Sequence, residues 1–380
     1  MVESIIVGHI FHVKRGMLVK KKGKKILHIL IVVILAIVLI VYGFVIYGNY
    51  QMSKIPGLSF EDCLNYTMKG NDNAIITVGI IKDGQATYTV YGKDTIVMPQ
   101  VEHTYEIGSL TKTFTATLIK RAIIEGKINL DDTIDKHLEM PVGNTYPTIE
   151  QLLTHTSGYK SHYFELPMIG NFFGRRNDFY GITDDMLLKS LSKVSVTNET
   201  AKFNYSNFGY ATLGLVLEAV YDRDYLALVN VFASEELGLE NTHISDRQGD
   251  LKQYWDWNAN DVYLSAGGLT STISDMLDYA QLQLAGKDIF ASCHDSLAVI
   301  NSSTKAYSAM GINMDEIGAG WIIDRENDII WHNGGTGDYN CYLGFCPKTE
   351  TAVVILSNLA PNYRIPATVM GVKLLKQYLE

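Results

Sequence analysis

Four Ser-x-x-Lys tetrads lie in this 380-residue chain: Ser109 to Lys112, Ser157 to Lys160, Ser190 to Lys193 and Ser302 to Lys305. Positions i and i+3 share a helix face, so the serine hydroxyl can sit beside an amine that takes its proton. That pairing activates serine as a nucleophile for acyl transfer. Four copies show that the tetrad alone selects nothing. Ser109 follows Tyr105-Glu106-Ile107-Gly108 and opens a run in which Leu110, Phe114, Leu118 and Ala122 recur at helical spacing. It therefore falls at a helix N-terminus, where free N–H groups and the dipole favour an alkoxide or an oxyanion. An ordinary N-cap serine would read the same way. Ser157 is in a Thr-Ser-Gly-Tyr-Lys turn, Ser190 near the polar end of a helix and Ser302 in an Asn-Ser-Ser-Thr-Lys loop. All three are expected to be solvated.

Two distant motifs join Ser109. Tyr205-Ser206-Asn207 leads into an apolar helical run. A phenol carries protons if nearby cations lower its pKa, and an amide offers both a donor and an acceptor. Tyr47-Gly48-Asn49 has the same form, so this pattern is weak alone. The other motif is His332-Asn333-Gly334, with Gly335 and Gly337 just beyond. Only this one of the ten histidines has Gly two residues later, and it ends a strand-like run. The glycines are expected to let a substrate backbone approach closely.

The elements that position these residues read as a hairpin, a long helical block, a meander and a last helix. Phe60 to Lys69 reads as a helix. Ile75 to Ile81 and Ala86 to Tyr91 flank the hairpin signal Lys82-Asp83-Gly84. Helices are expected over Leu110 to Glu125, Thr148 to Leu153, Asp184 to Lys193 and Tyr210 to Val220. Strands are expected over Ala319 to Asp324, Ile329 to His332, Tyr339 to Phe345 and Thr351 to Ser357, then a helix from Ile365 to Leu379. Adjacent hairpins imply an antiparallel sheet flanked by helices plus a mostly helical lobe, α/β of the α+β type, with the first hairpin paired to the late meander.

Residues 26–47 form a 22-residue stretch with no formal charge, long enough for one transmembrane helix. Seven basic residues against Glu3 precede it, giving +6 on that side. The positive flank places the N-terminus in the cytoplasm and residues 48–380 outside. The organisation is then a basic head (1–25), an anchor (26–47), a linker (48–57) reaching at most roughly 35 Å, and a domain over 58–380. Its sheet lobe takes about 58–108 and 310–380, its helical lobe about 109–309. Met17 also begins a conventional basic start, so Met1 and Met17 are both candidate starts. The whole chain carries −9, leaving −15 outside, which excludes a nucleic-acid binder. Cys63, Cys293, Cys341 and Cys346 show no zinc spacing and are expected to be buried free thiols. No metal or cofactor is expected.

The ordered set Ser109-x-x-Lys112, Tyr205-x-Asn207 and His332-x-Gly334 resembles the serine β-lactamase and penicillin-binding-protein superfamily. It is most similar to the class C-like branch of D-Ala-D-Ala carboxypeptidases, D-aminopeptidases and β-lactamase-fold esterases. Leu152 to Gly158 and Ser265 to Ser271 agree, and the resemblance covers roughly residues 60–380. The class A signatures Ser-Asp-Asn and Lys-Thr-Gly are absent. The resemblance implies a β-lactamase/transpeptidase-like fold with Ser109 as the acylated nucleophile. It makes Lys112 the general base and Tyr205 a rival base that protonates the leaving group. Asn207 would hold the acyl chain, and the N–H groups of Ser109 and Gly335 would form the oxyanion hole. His332 takes the place of a lysine and would offer positive charge or hydrogen bonds to a substrate carboxylate or phosphate. Asn333 departs from the hydroxyl residue common at that position. That turns the expectation from carboxylate-bearing substrates toward esters and amides.

The function implied is a membrane-anchored extracytoplasmic serine hydrolase acting on D-alanyl groups of the cell wall. Its substrate would be a peptidoglycan stem peptide or D-alanylated teichoic acid, with β-lactams as further ligands. A non-catalytic penicillin-binding sensor on the same fold and a class C-like β-lactamase are the alternatives. His155 is expected to be a buried structural histidine. The aromatic segment Tyr159 to Tyr180, with Arg175-Arg176, either grips an anionic chain or packs within the lobe.

Overall fold

The computed structural model describes residues 31–43, 46, 48, 50, 52–197, 199–287 and 289–379. It divides into two compact units, one ending at Gly57 and one starting at Leu58. In the first, residues 31–43 are helical. Among the described residues no helix is long and apolar enough to cross a membrane. The head expected over 1–25 lies outside the described residues, as do residues 26–30, 44, 45 and 47 of the expected anchor.

The second unit is built on an eight-stranded antiparallel sheet ordered β2-β1-β11-β10-β9-β8-β7-β6. Its strands are β1 (Ile76–Lys82), β2 (Gln85–Tyr91), β6 (Ala298–Val299), β7 (Glu316–Ile317), β8 (Ile322–Asp324), β9 (Ile329–Gly335), β10 (Asn340–Cys346) and β11 (Thr351–Ser357). Asp83 and Gly84 both have positive φ, the two-residue turn geometry that matches strand twist, and they close β1 onto β2. β1 pairs with β11, joining the first hairpin to the late meander as expected (Ile76 opposite Ser357, Gly79 opposite Val354). β6 enters this sheet through β7, although it falls inside the 109–309 span assigned to the helical lobe. That lobe assignment missed a two-residue strand, too short to carry an alternation signal. A second sheet, β3-β5-β4, joins Tyr105–Glu106, Leu269–Ser271 and His243–Ile244.

Cross-strand partners share a sheet face. Val78, Ile355 and Tyr342 are one such row, and Gly79, Val354 and Leu343 are a row on the opposite face. The helix Ala367–Leu379 packs on the first face, where Gly371 lies against the Tyr342 ring. The helix Ile273–Ala285 packs on the second, where Ile273 and Leu277 fill the space above Gly79. Covered on both sides, β10 and β11 are buried throughout.

The helix Thr111–Ile124 runs through the core and is buried over almost its whole length despite four threonines. Their hydroxyls are satisfied internally. Thr113 donates to Leu110 O, Thr115 to Thr111 and Ser265 O, and Thr117 to Thr113 O. Ser109 sits just before it in a 3-10 turn (Gly108–Leu110), slightly outside the α-helix expected to begin there.

β9 outruns β8, whose pairing with it stops at Trp331, so His332–Gly335 has a free flank on that side. Thr336 N–H donates to Tyr339 O, closing the β9–β10 turn. The next pair, Gly335 with Asn340, is then of the non-hydrogen-bonded kind, and the Gly335 N–H points away from β10. The segment it faces is Ile107–Ser109. A Cβ on Gly334 would stand 1.9 Å from Ile107 O, and one on Gly108, which has φ +47°, would stand 2.7 Å from Gly335 N. Both glycines are fixed by this backbone contact.

Gly334→Ala should therefore lower unfolding free energy by about 1–3 kcal/mol through overpacking. Gly170→Ala, at a helical site with nothing within 4 Å of the added methyl, should be neutral or stabilising by about 0.4–1 kcal/mol. Urea unfolding of the two variants tests the contrast, and equal midpoints would contradict it.

Candidate active site

Lys112 is wholly buried, with 0 % of its surface exposed. Its Nζ contacts Ala266 O at 2.6 Å, Asn207 Oδ1 at 2.8 Å and Ser109 Oγ at 3.0 Å. It also lies over the Tyr205 and Tyr210 rings. Among the described residues no carboxylate pairs with it. Desolvation therefore pulls its pKa well below the usual lysine value. As a neutral amine, Nζ has two hydrogens and one lone pair. The two carbonyl oxygens accept the hydrogens, so the lone pair is left for the Ser109 hydroxyl. Ser109 is half-buried between buried neighbours, the one member of its turn open to a substrate.

Tyr205 comes to Ser109 from a distant segment of the chain. The loop Thr154–Lys160 cradles its segment. Ala201 N–H donates to Thr156 O, Asn204 N–H to His155 O and Asn204 Nδ2 to Tyr159 O. Ser206 N–H donates to His155 Nδ1, and the Ser206 hydroxyl donates to Lys160 O while capping the helix Asn207–Tyr221 through Gly209 N–H. The Tyr205 hydroxyl is hydrogen-bonded to Ser109, yet burial raises its pKa above the ordinary phenol value. The sequence left Lys112 and Tyr205 as rival bases. Burial thus shifts the two in opposite directions, Lys112 down and Tyr205 up. Asn207 was expected to hold an acyl chain. Its Oδ1 accepts from Lys112.

The third motif departs most from expectation. His332 is buried, and burial is the chief cause that lowers its pKa to about 3. It is neutral near pH 7 and supplies no positive charge, contrary to one of its two expected roles. Its Nδ1 lies 2.6 Å from Asn333 O, which fixes the proton there and leaves Nε2 an acceptor. Asn333 is exposed on the strand. Gly334, expected to admit a substrate backbone, is buried against Ile107 O. Gly335 is exposed and directs its N–H toward the Gly108–Ser109 turn.

The other tetrads stay apart from this group. Ser190 donates to Glu165 and Ser302 to Ile300 O. Ser157 is buried rather than solvated, because its Oγ caps Tyr159 N–H inside the cradle. Arg176 is occupied by Asp256 and stacks on Tyr180. Arg175 ends the helix Pro167–Gly174, whose Phe172 and Phe173 are exposed. The four cysteines are buried free thiols.

Three contributors were not assigned from sequence. Ala266 lends a backbone carbonyl, which no side-chain pattern announces, although it sits in the small-residue run Ser265-Ala266-Gly267-Gly268. His155, read only as structural, packs at a 38° tilt with its ring centroid 4.5 Å from that of Tyr205 and its Nδ1 on Ser206 N–H, so it supports that ring. Glu106, three residues before the nucleophile, is a buried carboxyl beside the site.

A family model described as Beta-lactamase matches residues 53–368. A "Protein flp" of Staphylococcus aureus (strain MRSA252) is 26% identical over 285 residues, 68% of this chain and 53% of that protein. The chain thus spans about half the length of that curated relative. A "Beta-lactamase/D-alanine Carboxypeptidase" of Yersinia pestis, complexed with citrate, has a TM-score of 0.64 at 20% identity, covering 87% of this chain and 99% of its own. The octameric penicillin-binding protein homologue of Pyrococcus abyssi has a TM-score of 0.65 at 20% identity, covering 89% and 77%. These structural likenesses concern the fold.

Lys112→Met should slow covalent labelling of Ser109 by about 100-fold or more. Its stability should depend on pH with a definite sign. Between the lowered folded pKa and the ordinary lysine value, the unfolded chain binds a proton that the folded chain does not. Wild-type stability therefore gains from this group as pH rises through that window. The melting temperature of Lys112→Met relative to wild type should be highest at low pH and decline toward pH 10. A difference independent of pH would contradict a neutral Lys112.

Proposed function

The chain belongs to the β-lactamase family, and we propose that it is a serine hydrolase forming an acyl-Ser109 intermediate on D-alanyl groups, with esters preferred to D-Ala-D-Ala peptides. The observation that carries this reading is the buried Lys112 amine, held by two carbonyl oxygens and lying 3.0 Å from Ser109 Oγ. Ser109 Oγ attacks the substrate carbonyl while its proton passes to Lys112 Nζ. The N–H groups of Ser109 and Gly335 receive the oxyanion. As the ester C–O bond breaks, the departing alkoxide takes a proton through Tyr205. A water then attacks the acyl-serine by the reverse relay, releasing the acid and restoring the Ser109 hydroxyl.

The preference for esters rests on the third strand. A neutral His332 offers no cation to a free carboxylate, and Asn333 replaces the hydroxyl expected to bind one. D-Alanyl esters of teichoic acid lack that carboxylate, whereas D-Ala-D-Ala termini and β-lactams carry it. The Yersinia pestis neighbour, named as a β-lactamase and D-alanine carboxypeptidase, supports the D-alanyl class. An extracytoplasmic location, with the catalytic unit tethered near the membrane, is supported by the uncharged run 26–47 and its basic flank. A purely sensory role is disfavoured, because the proton path from Ser109 to Lys112 is complete.

Purified full-length protein should hydrolyse D-alanylated lipoteichoic acid with a kcat/KM at least about 10-fold above that for a D-Ala-D-Ala peptide, a margin of about 1.4 kcal/mol. Ser109→Ala should abolish both activities and block fluorophosphonate labelling. Efficient penicillin turnover would refute the weight placed on His332 and Asn333. Absence of any adduct on wild-type Ser109 would refute the enzyme itself.

A further inference from the structure

Glu106 ends β3, and only Ile107 and Gly108 separate it from Ser109. Its carboxyl is buried, and no cation pairs with it among the described residues. Oε1 accepts from Trp255 N–H at 2.5 Å, and Oε2 accepts from the Thr336 hydroxyl at 2.5 Å. Thr336 directly follows Gly335 and closes the β9–β10 turn. Gly337, in that turn, lies against the Trp255 indole, whose Nε1 would stand 2.7 Å from an added Cβ. One carboxyl therefore joins three segments: the strand entering the nucleophile, the tip of the strand carrying the oxyanion donor, and the loop bearing Trp255.

We propose that Glu106 is a positioning residue for acyl transfer, holding Thr336, and through it the Gly335 N–H, in place against Ser109. This rests on the hydrolase reading above. It gives a buried carboxyl a task beyond structure, because an oxyanion donor works only when fixed before charge develops. The contact also titrates. Burial without a cation lifts the Glu106 pKa to about 7, with Asp338 of the β9–β10 turn adding to the rise. The phenols of Tyr254 and Tyr339 face it as well, from the Trp255 segment and from β10's approach. Trp255 N–H can only donate, so Oε1 must remain an acceptor in both states. A proton therefore sits on Oε2 and donates to Thr336 Oγ1, whose hydroxyl rotates to accept it. Glutamine, with its amide nitrogen toward Thr336, reproduces that protonated form. Ionised Glu106 instead sets a negative charge behind the oxyanion donors, in surroundings that screen it poorly.

The test compares wild type, Glu106→Gln and Glu106→Ala in the full chain by two measurements. The first is the rate of Ser109 phosphonylation by a fluorophosphonate, in which Oγ displaces fluoride from phosphorus and the serine proton passes to Lys112. Glu106→Ala should react about 10–100-fold more slowly, within the range for a disturbed oxyanion donor. Glu106→Gln should recover most of that loss, and its rate relative to wild type should rise between pH 6 and pH 8. The second measurement is amide hydrogen exchange at Gly335–Tyr339 and around Trp255. Exchange should speed up in both segments in Glu106→Ala and not in Glu106→Gln. Unchanged exchange in Glu106→Ala would overturn the proposal whether or not the protein labels. Wild-type labelling with a pH-independent Gln-to-wild-type ratio, or with Gln as slow as Ala, would overturn it too. Failure of wild type to label at all would strike the hydrolase reading, leaving the exchange result to decide on Glu106.

Discussion

An amine buried without a counter-charge is the constraint around which the catalytic unit is arranged. Ionised Lys112 in this site would face a desolvation cost with no carboxylate to offset it. The fold resolves this by surrounding the nitrogen with neutral groups. Carbonyl oxygens of Ala266 and Asn207 take its hydrogens, phenols of Tyr205 and Tyr210 pack against it, and His155 and His332 remain uncharged beside it. The same surroundings that disfavour its proton make it able to accept one from Ser109. The threonine hydroxyls of its helix all find partners, on their own backbone or on segments packed against it, so the helix can enter the core without presenting further unmet polar groups.

The second half of the site depends on two backbones brought closer than side chains permit. Gly334 and Gly108 exist where they do because Ile107 O and Gly335 occupy the space a methyl would need. Cys341 Sγ also lies 3.0 Å from Ile107 O, on the next strand. The glycine of the third motif thus serves the protein's own packing, and the residue after it is the exposed one. A strand that outruns its neighbour leaves the Gly335 N–H unclaimed by the sheet, so it can point across the gap at the nucleophile.

How much of this was legible in the sequence follows from the range of the forces involved. The hairpin at Asp83-Gly84, the helix after Ser109 and strands β9 to β11 are set by local turn chemistry and periodicity, and their expected bounds fall within a few residues of those observed. The grouping of Ser109, Lys112, Tyr205 and Asn207 was readable through the resemblance that the ordered motifs carry, since each motif alone also occurs by chance. For His332 positive charge stood beside hydrogen bonding as an expected role because an isolated imidazole titrates near neutrality, whereas its burial is a property of the assembled fold. Ser157 was placed in solvent for the same reason, since a turn sequence does not reveal that another segment will lie over it. Ala266 and Glu106 act through a carbonyl and a cross-segment carboxyl, whose partners lie about 150 residues away in the chain.

The pairing of Ile76 with Ser357 has a consequence for biosynthesis. Ser109 is made before both the strand that pairs with β1 and the strand that brings Gly335, which lie more than two hundred residues further along the chain. Contacts of such sequence separation form slowly and late. A nascent or truncated polypeptide therefore carries Ser109 and Lys112 on a helix that has neither its oxyanion donor nor the packing that strips water from the amine. On the proposed hydrolase reading, the reactive pair is complete only once these long-range contacts have formed.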